Sequence, residues 1–483
     1  MRANFPSDGS AYASVTGRTG GRPSRPAGRG TGTHRQGSSA LSSERPARAV
    51  SVPVAIFACS LFIPIIFSLG NLVLNPFRLV LIVTILPCLF KWVSGGAGRW
   101  RLADFTLLFY CAWCVISLCV VRGIGQGLQS AGILFVETMG PYLLARCYIR
   151  SADDYRGVTL FLFLIVLLLL PFAFIEGVTG RNILLDLTRS VFTTHPNVYE
   201  TRWGLRRAHS VVEHPILFGV ICGSMFGPVF FALGHARPMI ERYGKAAVIV
   251  AATFLAMSSG PLSALFAQIM MIVWDKALMR FKARWILLSA CLGAGYMLVA
   301  LVSNQGVFEF FISHFSFSPE NAYYRVLIWN FGTGSVMNHP FFGTTMADWD
   351  RPEWMPPSID MFWLFHAIIY GIPAAVAMLA TFLAIYVSVA LTKIDDEKLA
   401  GYRMGFLASL TGFFLVGWTV HFWTVTYALF MFSLGSGAWL LDAGKKEKTE
   451  AKTVRRPTRA GRAPASRAGL ESRRPLAGPG GGE

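Results

Sequence analysis

From Ser51 to Leu441 the chain consists of apolar runs of about twenty residues separated by short breaks, and a helix of that length crosses about 30 Å of hydrocarbon. Inside a bilayer every backbone N–H and C=O must be paired within its own segment, which leaves helices or closed barrels. Runs without strand-like alternation point to the helical solution, an all-α polytopic membrane protein. Spans are expected near 52–70, 77–93, 103–121, 128–147, 157–176, 212–233, 285–303, 362–391, 404–421 and 423–441. The stretch 245–274 is longer than one crossing needs and is interrupted by Ser258-Ser259-Gly260-Pro261, which reads as two helices around a tight turn. The expectation is therefore about twelve transmembrane helices over 51–441. An apolar fraction of 53 % with 14 % charged residues agrees with one membrane domain.

A net charge of +18 would suggest nucleic acid until it is divided along the chain. Residues 1–50 hold eight Arg against Asp8 and Glu44, and residues 442–483 hold eleven Lys or Arg against five acids. Both tails are rich in Gly, Pro, Ser and Ala and have little to bury, so disordered basic tails beside anionic lipid are expected, with no nucleic-acid partner. The first apolar run starts too late for a cleavable signal, so the first helix is expected to act as an uncleaved anchor. None of the eight Cys lies in a long loop, which argues against disulfides, and Cys111 and Cys114 form a CxxC within an apolar run, where packing is the expected role.

Twelve crossings from a cytoplasmic N-terminus make the connections at 94–102, 148–156, 234–244, 275–284 and 392–403 cytoplasmic. Each holds at least two Lys or Arg, and all ten Lys lie on or next to that side. Both termini are then cytoplasmic, and two long loops, 177–211 and 304–361, face the other side. The first holds Arg181, Arg189, Arg202, Arg206 and Arg207 against Asp186 and Glu200. The second holds Arg325 and Arg351 against Glu309, Glu320, Asp348, Asp350, Glu353 and Asp360.

Arginine offers a planar fork of donors that fits two phosphate oxygens and keeps its charge when partly desolvated. Five arginines without a lysine at a lipid boundary suit a lipid-borne phosphate or diphosphate; headgroup anchoring is the alternative. His195-Pro196, His214-Pro215 and His339-Pro340 read first as punctuation, because proline ends helices and restricts the residue before it. Acids inside spans are costly and mark function or pairing: Glu137 needs a partner, and Glu176 lies near enough to the interface to be solvated. No His, Asp, Glu or Cys cluster has metal spacing, so no metal or cofactor is expected.

The segments RAHSVVEHPILFG at 207–219, SSGP at 258–261, RVLIWNFGTGSVMNHPFFG at 325–343 and IDMFWLFHAIIYGIP at 359–373 together resemble the O-antigen ligase and polymerase family of bacterial polysaccharide assembly. The resemblance covers roughly residues 157–380. It implies a GT-C-like inner-membrane glycosyltransferase with large periplasmic loops, moving a glycan from a polyprenyl diphosphate to an acceptor sugar hydroxyl. By position Arg207 and Arg325 match the family's essential arginines, with Arg206 and Arg202 the next diphosphate-binding candidates. Ligases of the family place a His eleven residues before a Gly that matches Gly371; here Asp360 stands there. Asp360 is thus the candidate general base, and a polymerase is favoured over a ligase. His214, His339, His366 and Glu137 are possible accessory residues, with packing the leading role for His366. Expected partners are the lipid-linked oligosaccharide, an acceptor glycan, membrane lipid and other polysaccharide-export proteins. A secondary transporter and a scaffold of an export assembly are the rival readings.

Overall fold

The computed structural model describes residues 49–443 except 70–71, 197–199 and 305. The basic tails expected at 1–50 and 442–483 lie almost wholly outside the described residues. The described chain is mostly helical. In order it forms α1 (Val52–Ser60), the hairpin β1 (Phe67–Leu69) and β2 (Leu72–Leu74), α2 (Pro76–Val93), α3 (Leu102–Arg122), α4 (Ile124–Tyr148), α5 (Ala152–Thr179) and α6 (Ile183–Arg189). A second hairpin, β3 (Thr201–Arg202) and β4 (Leu205–Arg206), precedes α7 (Pro215–Ser224), the short turn α8 (Phe226–Pro228) and a π-helical turn over Val229–Leu233. There follow α9 (Met239–Leu255), α10 (Ser259–Ala277), α11 (Arg284–Val302), α12 (Val307–Phe315), α13 (Pro319–Asn338), α14 (Phe362–Tyr370), α15 (Ile372–Leu391), α16 (Glu397–Val416) and α17 (Thr424–Ser436).

Eight of these segments are long and apolar enough to cross a membrane: α2, α3, α5, Pro215–Leu233, α11, α15, α16 and Thr424–Ala443. Four expected crossings fall short of that standard among the described residues. The run at 52–70 is helical only to Ser60 and then turns into the β1–β2 hairpin, because Pro64 has no N–H to donate and disfavours helix at Ile63. Seventeen-residue α9 is short. The other two, α4 and α10, are long enough but diluted, α4 by Glu137 and Arg146, α10 by Gln268, Asp275 and Lys276. A break between two helices is present, but at 256–258 and not at 258–261: α9 ends at Leu255, Met257 takes a positive φ of 42°, and α10 begins at Ser259, so that Gly260 and Pro261 lie in its first turn, where proline is tolerated.

The main core packs α4 against α2, α3 and α17, and α16 against α10. Where α3 and α4 meet, the fully buried Asp104 accepts the Tyr142 hydroxyl at 2.6 Å and lies 3.2 Å from Arg146, itself 1 % exposed. Asp104 also accepts the Arg101 backbone N–H at 2.7 Å, tying the pair to the start of α3. A buried ion pair with its remaining acceptors satisfied fixes which faces meet, and breaking it by removing one partner leaves an uncompensated charge.

The segment 304–361 is not one loop, since it contains α12 and the twenty-residue α13. Ser318 caps α13 and Pro319 opens it, a favourable start that hydropathy alone does not reveal. Nor is 362–391 one helix. Gly371, at φ 85°, separates α14 from α15, and a Cβ there would lie 1.9 Å from the Phe341 carbonyl oxygen. The turn at 339–344 docks in that gap: Ile372 N–H donates to Pro340 at 2.8 Å and Thr344 N–H to Ile368 at 2.9 Å. From α3, Trp113 Nε1 and Ser117 Oγ donate to the carbonyls of Phe341 and Phe342 at 3.1 and 2.7 Å. Only glycine permits both the backbone angle and the approach. Gly371→Ala is expected to cost more than about 4 kcal/mol and to remove most folded protein. Gly244→Ala, in an open position of α9, should leave thermal unfolding unchanged or slightly raised; size-exclusion profiles and unfolding midpoints of the two variants check this.

Candidate functional site

The hairpin β3–β4 turns through Trp203 (φ 54°) and Gly204 (φ 77°), the two positive angles of the tight hairpin turn whose twist suits paired strands. Thr201 pairs with Arg206 and Arg202 with Leu205, and the ladder runs on as Arg207 N–H donates to Glu200 at 3.0 Å. This brings Arg202, Arg206 and Arg207 to the α9–α10 corner. There Ala208 N–H donates to Leu255 at 3.0 Å, Arg207 Nε to Ala256 at 3.2 Å, and Arg202 Nη1 to Met257 at 2.7 Å. These carbonyls close α9 and have no intrahelical partner, and the helix dipole is negative at that end. Arg206 turns away and donates to Gly180, at the end of α5.

Arg325, on α13, enters from the other side. It is 8 % exposed and its Nε donates at 2.8 Å to Thr419, in the turn after α16. Gly260 of the α9–α10 corner packs on that turn, where a Cβ would lie 3.3 Å from Thr419 Oγ1. Two helix ends in contact therefore hold two arginines from segments more than a hundred residues apart.

The counter-charges do not neutralise the cluster. Arg207, 2 % exposed, pairs through Nη1 with Glu200, while its buried Nη2 has no partner among the described residues. Burial pushes the Arg207 guanidinium down from its ordinary value, Glu200 opposes this, and Arg202 adds to it. Arg325 is lowered mainly by burial as well, with Asp360 opposing and Arg202 and Arg207 adding. Asp360 accepts Ser358 Oγ at 2.8 Å and sits where its charge reaches both Arg325 and His214. His214 caps α7 by accepting the Ile216 N–H on Nδ1 at 3.2 Å, and its Nε2 lies 4.0 Å from Glu200. Burial, followed by the Arg207 charge, holds His214 down at about 4, so it is neutral with its proton on Nε2. Among the described residues, three cations thus stand with two carboxylates, and the Nη2 of Arg207 is left without a hydrogen bond.

Of the residues expected from sequence, Arg202, Arg207, Arg325, Asp360 and His214 come together. His339 does not: it caps the far end of α13, fourteen residues and about 21 Å along the helix from Arg325. His366 is buried inside α14, its Nδ1 3.0 Å from the Tyr110 hydroxyl and its ring edge-on to Phe362. Glu137 has its partner in Arg78, at 2.6 Å. Glu176 is not solvated but 4 % exposed. It accepts the backbone N–H groups of His209 and Ser210 at 3.3 and 2.8 Å and Asn182 Nδ2 at 3.1 Å, so it fixes the strand that presents Arg207; the cause is that α5 ends against this segment instead of in solvent. Among the described residues no group of His, Cys, Asp and Glu is placed to hold a metal ion.

No protein-family model matches this chain, and none of the curated proteins matches it. Glu200 and the helix-end carbonyls are the site residues that sequence reasoning missed. The carbonyls have no sequence signature, and Glu200 was visible only as one of two acids in a basic loop.

The depressed His214 also makes stability depend on pH. Between its ordinary value of 6.5 and about 4, the unfolded chain binds a proton that the folded chain refuses, so stability falls as pH drops through that window. His209 and His195 are lowered by burial in the same sense. His214→Asn, which keeps a capping side chain, is expected to flatten the fall in unfolding midpoint between pH 6.5 and 4, and an unchanged slope in a pH series of melts would contradict the burial of this ring.

Proposed function

We propose that this chain is a membrane glycosyltransferase that joins glycan from a polyprenyl-diphosphate donor to an acceptor sugar, an O-antigen or exopolysaccharide polymerase of GT-C-like plan. What supports the reading most is the Arg202–Arg207–Arg325 cluster, with the unpartnered Nη2 of Arg207 buried within it. The reading includes twelve crossings, an inner-membrane location and both termini in the cytoplasm, so that the cluster faces the periplasm.

In the reaction the acceptor hydroxyl oxygen bonds to the anomeric carbon as the bond from that carbon to the diphosphate oxygen breaks. The electron pair leaves with the diphosphate, and the hydroxyl proton passes to a base. Negative charge grows on the leaving group, so donors fixed in advance at that place lower the barrier more than they tighten substrate binding. Arg207 and Arg325 serve this purpose, with Arg202 beside them, and Glu200 gives up its hold on Arg207 when the diphosphate arrives. Asp360 takes the acceptor proton, being the carboxylate whose charge reaches Arg325 and His214. Neutral His214 offers Nε2–H to a donor oxygen.

The partners in this reading are the lipid-linked oligosaccharide, the acceptor glycan and other polysaccharide-export proteins. Arg207→Ala and Arg325→Ala are each expected to lower polymer formation at least about 100-fold, with the protein still inserted and abundant. Normal polymer in both variants would overturn the site. A deletion strain separates the two family reactions: accumulated single lipid-linked repeats identify a polymerase, and accumulated lipid-linked polymer with none on its final acceptor identifies a ligase.

A further inference from the structure

The helices that hold the arginines have second ends, and those ends meet a different chemistry. Arg207 and Arg202 bond the C-terminal end of α9, α10 starts at the same corner, and Arg325 bonds the turn that follows α16. At the opposite ends stand Arg242 near the start of α9, Asp275 and Lys276 at the end of α10, and Glu397 and Arg403 at the start of α16. At nineteen residues α10 is about 28 Å long, which separates the two regions by roughly the thickness of the bilayer core.

Beside that second end lies a cavity of about 1260 Å³ between α10, α11 and α16. Met270 and Val273 of α10, Leu288 and Leu292 of α11, and Leu407 and Leu415 of α16 line it. It exists because α11 stands off: none of its residues is buried. The helix is pinned at its start, where Arg284 Nε lies 2.9 Å from Asp275 and Trp274 Nε1 donates at 2.9 Å to the Arg284 carbonyl. Hydrocarbon-lined space does not hold ordered water, and a cleft beside an unpacked membrane helix lies open to acyl chains. The mouth adds selectivity for charge, with Arg242, Lys276, Arg284 and Arg403 against Asp275 and Glu397. Asp275 is engaged by Arg284. Arg242 and Arg403 each use one N–H on a carbonyl, of Phe230 and Thr392, which leaves further donors on both guanidinium groups.

We propose that this cleft binds an anionic phospholipid, its acyl chains lying between α11 and α16 and its phosphate on Arg242, Lys276 and Arg403. The proposal concerns the end of the bundle away from the arginine cluster and does not depend on what that cluster catalyses. A phosphate near several cations gains roughly fivefold in affinity per Lys or Arg.

The test uses the full-length protein purified in detergent and then mixed with phosphatidylglycerol or phosphatidylcholine, reading retained lipid by native mass spectrometry and the unfolding midpoint in parallel. Wild type is expected to retain phosphatidylglycerol and to melt higher with it than with phosphatidylcholine. Arg242→Gln/Arg403→Gln should lose at least about tenfold of that preference while melting like wild type in phosphatidylcholine. Leu288→Trp/Leu407→Trp, which fills the cleft, should retain less of both lipids. Should the double arginine variant fail to fold, Lys276→Gln, an exposed side chain, is expected to lose about fivefold. Equal retention of the two lipids by wild type, or an unchanged preference in a folded charge variant, overturns the proposal.

Discussion

Everything at the candidate site depends on guanidinium groups bonded to the carbonyl ends of helices. A buried cation is expensive unless acceptors meet its N–H groups, and in α9 and α16 the sequence supplies those acceptors without spending a carboxylate. Ala256, Met257 and Thr419 contribute backbone oxygen, which satisfies hydrogen bonds but adds no full negative charge. The cluster is thereby held in place and left short of anions. Had Asp or Glu side chains taken these positions, the arginines would be as well anchored, but the site would have no excess of positive charge with which to attract an anion.

The segment that delivers Arg207 is positioned by a second device of the same kind with the sign reversed. Glu176 collects two backbone N–H groups, from His209 and Ser210, and the Asn182 amide. Ser210 holds a positive φ of 53°, a conformation unfavourable for a residue with a side chain, so the latch is formed against a local cost. Arg78 with Glu137, and Asp104 with Arg146, do comparable work between helices. In lipid, apolar faces have no reason to prefer one another over acyl chains, and polar pairs and close backbone packing set the arrangement instead.

What could be read beforehand divides along that line. Apolar length gave the spans whose stability is local, and Ser-Ser-Gly-Pro marked the change from α9 to α10 to within a few residues, because proline is tolerated in the first turn of a helix and not further in. Gly371 was legible as part of a motif, but the split it makes in 362–391 was not, since the cause is the Phe341 backbone docked thirty residues earlier in the chain. Likewise α13 was hidden in a supposed loop: its polar face suppresses hydropathy, while Ser318 and Pro319 start it as they would a soluble helix. Arg202 and Arg207 were visible because charge without lysine is unusual at a lipid boundary, and Arg325 only through the segment 325–343 and the family it resembles. Their anchors were not, because a carbonyl belongs to every residue. The His339 motif echoed that of His214 in letters only, for a rigid helix separates it from Arg325.

The contact between α8 and α16 shows why the two ends of the bundle can differ so sharply. A Cβ on Gly405 would lie 2.6 Å from the Gly227 carbonyl oxygen, so these backbones touch at a spacing that any side chain would forbid. Further along, Gln268 of α10 reaches past Gly412 of α16 to donate at 3.0 Å to Gly223 of α7. Contacts at two levels tie α7, α8, α10 and α16 together, with the arginine anchors at one end and the basic mouth at the other. On the other side of the mouth stands α11, held at its start by Arg284 and Trp274 and with none of its residues buried. Close packing is thus concentrated around the helices that hold the arginines, and the opening lies beside α11, the one long apolar helix with no buried residue among the described residues.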